Sequence, residues 1–262
     1  SGQNVSSAKQ DPILWSDIQG LKSAVSRLQA YTDNLHRAAG SVRIAVESME
    51  ASDNHLQELG LILEGALADK EGSAARADSL KQFNELHGLL NDLAAPRDLG
   101  ARKLLDDPVR FSAAGPVHIA AGENDFEVIL KNQPIHTGAG GLDLPMIGDP
   151  LPSDPAGSPI IEDIENATDE EIKAMMLQLT FAREQIALKT ETLSIDAGAI
   201  EFSTEANNSF IERNESEESE LNLPDLEAEA MLSQALNIRT NLATFGLSGF
   251  EETKRLALSL IQ

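Results

Sequence analysis

The stretch that decides the fold is residues 14–67, which read LWSDIQGLKSAVSRLQAYTDNLHRAAGSVRIAVESMEASDNHLQELGLILEGAL. Its apolar residues recur at alternating steps of four and three, which is typical of a long helix packed along one seam against another helix. The seam consists of Leu14, Ile18, Leu21, Val25, Leu28, Leu35, Ala39, Val42, Val46, Met49, Leu56, Leu63 and Leu67. Thr32, Asp53 and Gly60 interrupt it, but none is a proline, so one continuous helix is predicted. At about 1.5 Å per residue this helix would span on the order of 80 Å, and its apolar seam needs a packing partner along that whole length.

The residues on either side of the seam indicate where this helix begins and ends. Pro12, after Asp11, suits a first helical turn, and residues 70–73 (KEGS) suit a terminating turn. A second helix is predicted to run back as an antiparallel hairpin and to stop at residues 94–97. Its apolar stripe consists of Leu80, Phe83, Leu86, Leu90 and Leu93.

The apolar period changes to two between Val109 and Gly138, which favours short β-hairpins. The candidate strands are residues 109–113, 117–121, 126–130 and 134–137, separated by Gly, Pro and Asn turns. Residues 138–160 are rich in Gly, Pro and Asp and have no periodicity, so we expect a surface loop.

Helix is predicted again from Thr168, because Thr168 and Glu171 have the spacing of a capping box. We expect this third helix to cover the first one; its apolar residues are Ile172, Met176, Leu179, Ile186, Leu193, Ala197, Ile200 and Ile211. After the acidic residues 215–220 and Pro224, a four-three seam restarts as a terminal helix with Met231, Ala235, Ile238, Leu242 and Phe245.

The predicted fold class is mainly α with a small β region: a long antiparallel helical rod, or coiled-coil-like bundle, with β-hairpins at one end. Four segments follow from these patterns. Residues 1–108 form N-terminal rod helices, 109–167 the β-hairpins and a variable loop, 168–222 a C-terminal rod helix, and 223–262 a terminal helix.

The composition argues against several classes of function. A formal net charge of -23 would repel nucleic acid and anionic lipid. The chain has no cysteine, which removes thiol chemistry, and no apolar run of the roughly 18 residues that a membrane helix needs. Its five histidines are too scattered for a zinc motif. We therefore predict that the protein is not an enzyme, uses no cofactor or metal, and binds neither nucleic acid nor membrane.

Several short strings of the sequence match elements of one known protein family. Near the start, Ser1, Gly2, Asn4, Ser7, Ala8, Lys9 and Asp11 resemble the string S-G-x-x-x-N-S-A-K-D-D, which in that family precedes the long first helix. Further on, Leu99, Gly100, Lys103, Leu104 and Leu105 resemble F-N-G-x-K-L-L, which enters the β-hairpins. Residues 226–262 resemble the C-terminal helix, with Leu258, Ser259 and Leu260 near its end. In these strings and in their order, the sequence resembles the bacterial flagellins. Because a further helix precedes the first string in that family, the resemblance implies a chain truncated at its N terminus.

The resemblance implies a secreted structural subunit of the bacterial flagellar filament, which serves motility, is exported by the flagellar type III pathway and lies outside the cell. Copies would form a homopolymeric filament, and the expected further partners are an export chaperone at the C-terminal helix and the cap and junction proteins. The residues expected to carry self-assembly are Leu21, Leu28, Leu35, Val42, Met49, Leu56, Leu63, Met231, Ile238, Leu242, Phe245 and Leu258.

Two alternatives stay open. The pair Asp11-Pro12 resembles the D-D-P string of the hook-filament junction protein, a relative with similar ends, whereas the element around Gly100 and the terminal Leu-Ser-Leu resemble flagellin. The other alternative is a cell-surface adhesive homologue that would bind a ligand through the β-hairpins and the 138–160 loop.

Overall fold

The computed structural model describes residues 11–106, 108–148, 161, 163–222, 230–231 and 233–244. Its elements are α1 (Pro12–Ala68), α2 (Ala74–Leu93), α3 (Leu99–Leu105), β1 (Val117–Ala120), β2 (Glu127–Leu130) and α4 (Asp169–Asn222). Residues 230–231 and 233–244 are also helical. The described chain is therefore mainly α with one two-stranded antiparallel sheet, which confirms the predicted class at that level.

Contacts divide the chain into two compact units that cut across the four predicted segments. One, here called the terminal unit, comprises residues 1–26 and 211–262, and the other is the 27–210 unit. Within the terminal unit Ile18 is buried, and the ammonium group of Lys22 lies 3.3 Å from a carboxylate oxygen of Glu218. Both α1 and α4 contribute residues to each unit.

Within the 27–210 unit, α4 runs antiparallel along α1. The guanidinium of Arg183 donates to the Asp53 carboxylate at 2.8 and 3.1 Å, and the Thr190 hydroxyl lies 3.4 Å from the Met49 sulfur. Both helices place aliphatic side chains into the same core at intervals of seven residues. On α1 these are Leu35, Val42, Met49, Leu56 and Leu63, and on α4 they are Ile172, Leu179, Ile186, Leu193 and Ile200. The prediction that the third helix covers the first is confirmed for this unit.

The contact line on α1 differs from the predicted seam in one respect. Beyond Val42 the buried positions run Ala45, Met49, Ser52, Leu56, Leu59, Leu63 and Ala66, in steps of three and four rather than four and three. Asp53 and Gly60, which interrupt the predicted seam, therefore lie beside it and are half-buried. The shift has a geometric cause, because an α-helix drifts by about 20° per heptad against a strict seven-residue repeat.

The return helix α2 is confirmed, and α3 continues its path along α1. The Ser73 hydroxyl caps α2 by accepting from the Arg76 amide, and Leu80, Phe83 and Leu90 are buried. Gly100, in the first turn of α3, lies so close to the Ser41 side chain that a Cβ at this position would clash. Since Ser41 lies far before the end of α1, the chain has by then run back along that helix.

One buried side chain, Arg76, joins the ends of three helices. It is 2% exposed, and its guanidinium donates to the Asp69 carbonyl at 2.6 Å, the Ala167 carbonyl at 3.0 Å and the Asp169 carboxylate at 2.6 Å. These partners lie just after α1 and at the start of α4, while Arg76 itself lies in the first turn of α2. Charge-assisted bonds of this kind fix geometry as well as adding energy.

The predicted capping box at the start of α4 is confirmed. The Thr168 amide donates to the Glu171 carboxylate at 2.7 Å, and the Glu171 amide donates to the Thr168 hydroxyl at 3.3 Å. These two reciprocal bonds satisfy backbone donors that have no partner within the helix. The sequence signal and the structure therefore agree on where α4 begins.

Two of the four predicted strands are present. Strand β1 pairs with β2 in the register Val117↔Leu130 to Ala120↔Glu127, and Asn124 and Asp125 adopt positive φ in the connecting turn, which Asn and Asp tolerate. The strands predicted at 109–113 and 134–137 are wrong. The described residues at 109–113 form turns, and at 133–135 backbone amides donate to carbonyls at the end of α3 instead of to a strand: Gln133 to Leu104 at 2.6 Å and Ile135 to Leu105 at 3.0 Å.

Residues 138–148 form the predicted loop without regular secondary structure, but the prediction that this loop lies on the surface is wrong. Leu142, Leu144 and Ile147 are buried in the core of the 27–210 unit. The Asn84 side chain on α2 donates to the Ile147 carbonyl at 3.0 Å and accepts from its amide at 2.8 Å. A side-chain amide thus does for this irregular segment what a neighbouring strand would do. Residues 149–160 of the predicted loop lie outside the described residues.

Candidate self-assembly surfaces

The first-helix part of the predicted assembly seam lies inside the chain. Leu28, Leu35, Val42, Met49, Leu56 and Leu63 are all 0–6% exposed. Side chains with so little accessible surface have none to offer a neighbouring copy in this conformation. We therefore correct their predicted role: they hold α1 to the rest of the same chain, and the partner that the seam requires is intramolecular.

The terminal part of the predicted seam is exposed. Every described side chain between residues 230 and 244 is exposed, including Met231 at 72%, Ile238 at 56% and Leu242 at 67%. Leu21, in the terminal unit, is half-buried. Phe245 and Leu258, and the flagellin-like string in residues 1–10, lie outside the described residues. Of the predicted assembly residues, Met231, Ile238 and Leu242 are thus the described ones that offer most apolar surface.

A second exposed apolar row lies on α4 and is absent from the sequence-based prediction. It consists of Phe181, Leu188, Ile195 and Phe202, which are spaced seven residues apart and are 50–73% exposed. We call these four residues the α4 outer stripe. They follow the buried row Leu179, Ile186, Leu193 and Ile200 with an offset of two residues, so the same helix carries one apolar row inward and another outward.

The α4 outer stripe is continued by uncharged residues and bordered by acidic ones. Four residues after each member come Gln185, Thr192, Ala199 and Ala206, so the combined row contains no charge. Along one side of it run Glu184, Glu191 and Glu205, all exposed. The result is a neutral helical seam beside a negatively charged border.

Among the grooves on the described surface of the 27–210 unit are two that lie against α1. One, of about 830 Å³, lies between α1 and α4 and is lined by Glu50, Asp53, Arg183 and Glu184 among others. Its central Asp53 carboxylate is bonded to Arg183, and this hydrogen bond raises the pKa of the guanidinium. The other, of about 440 Å³, lies between α1, α3 and the hairpin and includes Arg37 and His118.

Lys189 is a half-buried ionisable side chain on α4. Burial lowers the pKa of its ammonium group from 10.5 to about 8. The Nζ atom donates to the carbonyl of Gly141 at 3.0 Å and to that of Pro134. Lys189 therefore ties the irregular segment after β2 to α4, which explains the position of this segment better than any local turn signal.

The described residues carry neither a metal cluster nor a membrane helix. In that part of the chain no three His, Asp or Glu side chains come together where they could hold a metal ion. No described helix combines the length and the apolar character needed to cross a bilayer. His36 is exposed, His55 pairs with Glu58 at 3.1 Å, and His87 Nε2 lies 2.8 Å from the Leu144 carbonyl oxygen.

Comparison of the sequence with protein-family models and with curated proteins finds no match.

Proposed function

We propose that the protein is a secreted, self-assembling structural subunit of the bacterial flagellar-filament type. The observation that carries this proposal is the exposure of the described helical residues 230–231 and 233–244. Their sequence contains an apolar row in steps of four and three: Met231, Ala235, Ile238 and Leu242. Apolar surface in water costs roughly 25 cal/mol per Å², and a second helix against such a seam removes that cost. In a homopolymer each neighbour supplies the missing surface.

The order of elements supports the proposal. A long helix, a return helix, a β-hairpin, a second long helix and a separate terminal helical stretch follow one another along the chain. This is the order that the flagellin resemblance implies. In this proposal the chain leaves the cell through the flagellar type III pathway, and an export chaperone covers the 230–244 stretch until assembly.

The burial of residues 138–148 argues against the adhesive alternative. That alternative needs a free loop after the hairpin, but Leu142, Leu144 and Ile147 are core residues and their segment is bonded to α2. The described part of the loop therefore has a structural role. We propose no enzymatic role for the chain.

A charge placed on the exposed seam tests the proposal. Full-length wild type, Leu242→Asp and the control Thr240→Asp would be followed by sedimentation and electron microscopy at rising concentration and on preformed filament seeds. Thr240 lies half a turn from the seam in the same exposed stretch, so the control adds the same charge to the opposite side of the helix.

We expect wild type and Thr240→Asp to polymerise and Leu242→Asp to remain monomeric with unchanged helix content, because the seam then carries a charge that packing would desolvate. A wild-type chain that stays monomeric throughout, or a Leu242→Asp chain that polymerises like wild type, would refute the proposal.

A further inference from the structure

We infer that the α4 outer stripe is the surface that receives the 230–244 helix of a second copy. The inference rests on the proposed self-assembly and names the surface that each copy offers to the next.

The spacing of the stripe shows that its partner is a helix. Phe181, Leu188, Ile195 and Phe202 recur every seven residues, and the intervening Gln185, Thr192, Ala199 and Ala206 complete a four-three row without charges. Only an α-helix that supercoils with α4 meets such a row along its whole length. The stripe covers about 30 Å, and a helix of 15 residues needs about 20 Å, so the proposed occupant fits within it.

The chain's own core does not account for this stripe. The residues of α4 that hold it to α1 are in the row Leu179, Ile186 and Leu193, which are 0–3% exposed. The outer stripe is at least 50% exposed at each of its four positions. A row of large exposed apolar side chains without an intervening charge marks an interaction surface.

The acidic border disfavours an antiparallel pairing of the same stripe from two copies. If two copies met through the same stripe in the antiparallel sense, the glutamates at 184, 191 and 205 would face their own counterparts, which is unfavourable. The main apolar rows of α1 and α2 are buried. An exposed helix with an apolar four-three row and without acidic residues avoids this repulsion and is the partner that we infer.

The 230–244 stretch meets each of these requirements. Its described residues are exposed, Met231, Ala235, Ile238 and Leu242 form a four-three row, and Arg239 is the one charged residue in the sequence 230–244. Arg239 lies beside that row, so a parallel arrangement of the two helices brings it to a glutamate of the border. The two surfaces are thus complementary in both apolar spacing and charge.

The contact would be heterologous, since it joins two different surfaces. A complex formed by such contacts has one unoccupied surface at each end. Further copies can therefore be added indefinitely, unless the rotation between successive copies closes the complex into a ring. It therefore supplies the open-ended connection that a filament needs.

Cross-linking between two kinds of chain tests the contact directly. The natural chain has no cysteine, so each thiol can be placed without background. Full-length Thr192→Cys carrying a mass tag would be mixed with untagged Ala235→Cys and treated with a short bismaleimide, which tolerates small differences in register. We expect the tagged–untagged product to dominate over both products formed by like chains.

Three outcomes would overturn the inference. A dominant product that joins two Thr192→Cys chains would mean that like stripes meet. A dominant product that joins two Ala235→Cys chains would mean that the terminal helices meet each other. The third outcome is cross-linking no more frequent than for Ala30→Cys, an exposed position on α1 outside both surfaces.

Substitution in the stripe gives a second readout and separates the two proposals. In full-length chains Ile195→Glu should lower the yield of the mixed product about tenfold, the effect of losing about 1.4 kcal/mol of contact energy, while Leu61→Glu should leave it unchanged. Leu61 is a matched control because it is an exposed α1 leucine, 62% accessible, outside the stripe. If wild-type chains sediment as polymers but Ile195→Glu has no effect, this inference fails and the proposed function stands. If wild-type chains do not associate at all, both fail.

Discussion

The substitution Leu63→Ala tests whether the first-helix seam holds the fold or serves assembly. Leu63 is 0% exposed in the core of the 27–210 unit. Removing three carbon atoms forfeits about 0.8 kcal/mol of burial for each methylene, and the cavity left behind adds to that loss. We expect the free energy of unfolding to fall by about 3 kcal/mol, within the range of about 2–5 kcal/mol for buried leucines. Urea titration followed by far-UV circular dichroism measures the change.

The matched control is Leu61→Ala, two residues away on the same helix. Leu61 is 62% exposed, so the same chemical change should alter stability by less than about 0.5 kcal/mol. At temperatures where Leu63→Ala remains folded, it should also assemble like wild type, because the residue offers no surface to a neighbour. Equal stability losses for the two variants would show that Leu63 is not in the core. A folded Leu63→Ala chain that fails to assemble would restore the intermolecular role that its position in the sequence suggested.

Three further perturbations test single features of the 27–210 unit in the same urea assay. Thr32→Val should raise the free energy of unfolding by about 1 kcal/mol, because the Thr32 hydroxyl is buried without a hydrogen-bond partner among the described residues; a loss would contradict this. Arg76→Met should lower the free energy of unfolding by about 2–4 kcal/mol, because it leaves two carbonyl groups without their hydrogen-bond donor. Asp169→Asn should lower it by less than about 1 kcal/mol, since the Asp169 side chain is half-exposed. For Lys189 the folded-state pKa of about 8 lies below the ordinary 10.5, so the unfolded chain binds more protons between these values and stability rises with pH. The stability of wild type relative to Lys189→Met should therefore increase from pH 8 to 10.5, and a flat difference would refute the assignment.

The positions of the long helices could be predicted from the sequence because their signals are local. Pro12 at the first turn of α1, the turn at residues 70–73 and the pair Thr168 and Glu171 at the start of α4 each act within a few residues. Each lies at the boundary that the structure shows. The alternation of residues 117–120 and 127–130 around a turn is equally local, and this hairpin is present.

The errors lie where the backbone is satisfied by partners distant in sequence. A two-residue alternation suggested strands at 109–113 and 134–137, but no local feature shows that the Asn132 side chain donates to the carbonyls of Lys103, Leu104 and Asp106. The 138–148 segment has the composition of a free loop, yet Asn84 on α2 bonds both backbone groups of Ile147. Side-chain amides that replace a strand leave no periodic trace in the segment they hold.

Periodicity also does not say which helix covers a seam. The apolar row of α1 indicates that some helix lies against it, and both a second copy and the chain's own α4 satisfy that requirement. The α4 outer stripe was missed for a related reason. The rows that begin at Leu179 and at Phe181 are offset by two residues and overlap in the sequence. If a single apolar row is assigned to the helix, the row from Leu179 is chosen, and the members of the second row are taken for scattered surface residues.

Two rows on one helix separate the demands of folding from those of assembly. The inner row of α4 is committed to α1, and the loss of a side chain there should change unfolding without a direct effect on association. The outer row contributes little to unfolding, because its side chains are already in contact with water. Substitutions at inner-row positions such as Ile186 are therefore uninformative about assembly, whereas the pair Leu193→Ala and Ile195→Ala, two residues apart, should divide into a stability loss and an association loss. If both changes produced the same defect, α4 would not carry two independent surfaces, and the distinction between the internal seam and the outer stripe would be wrong.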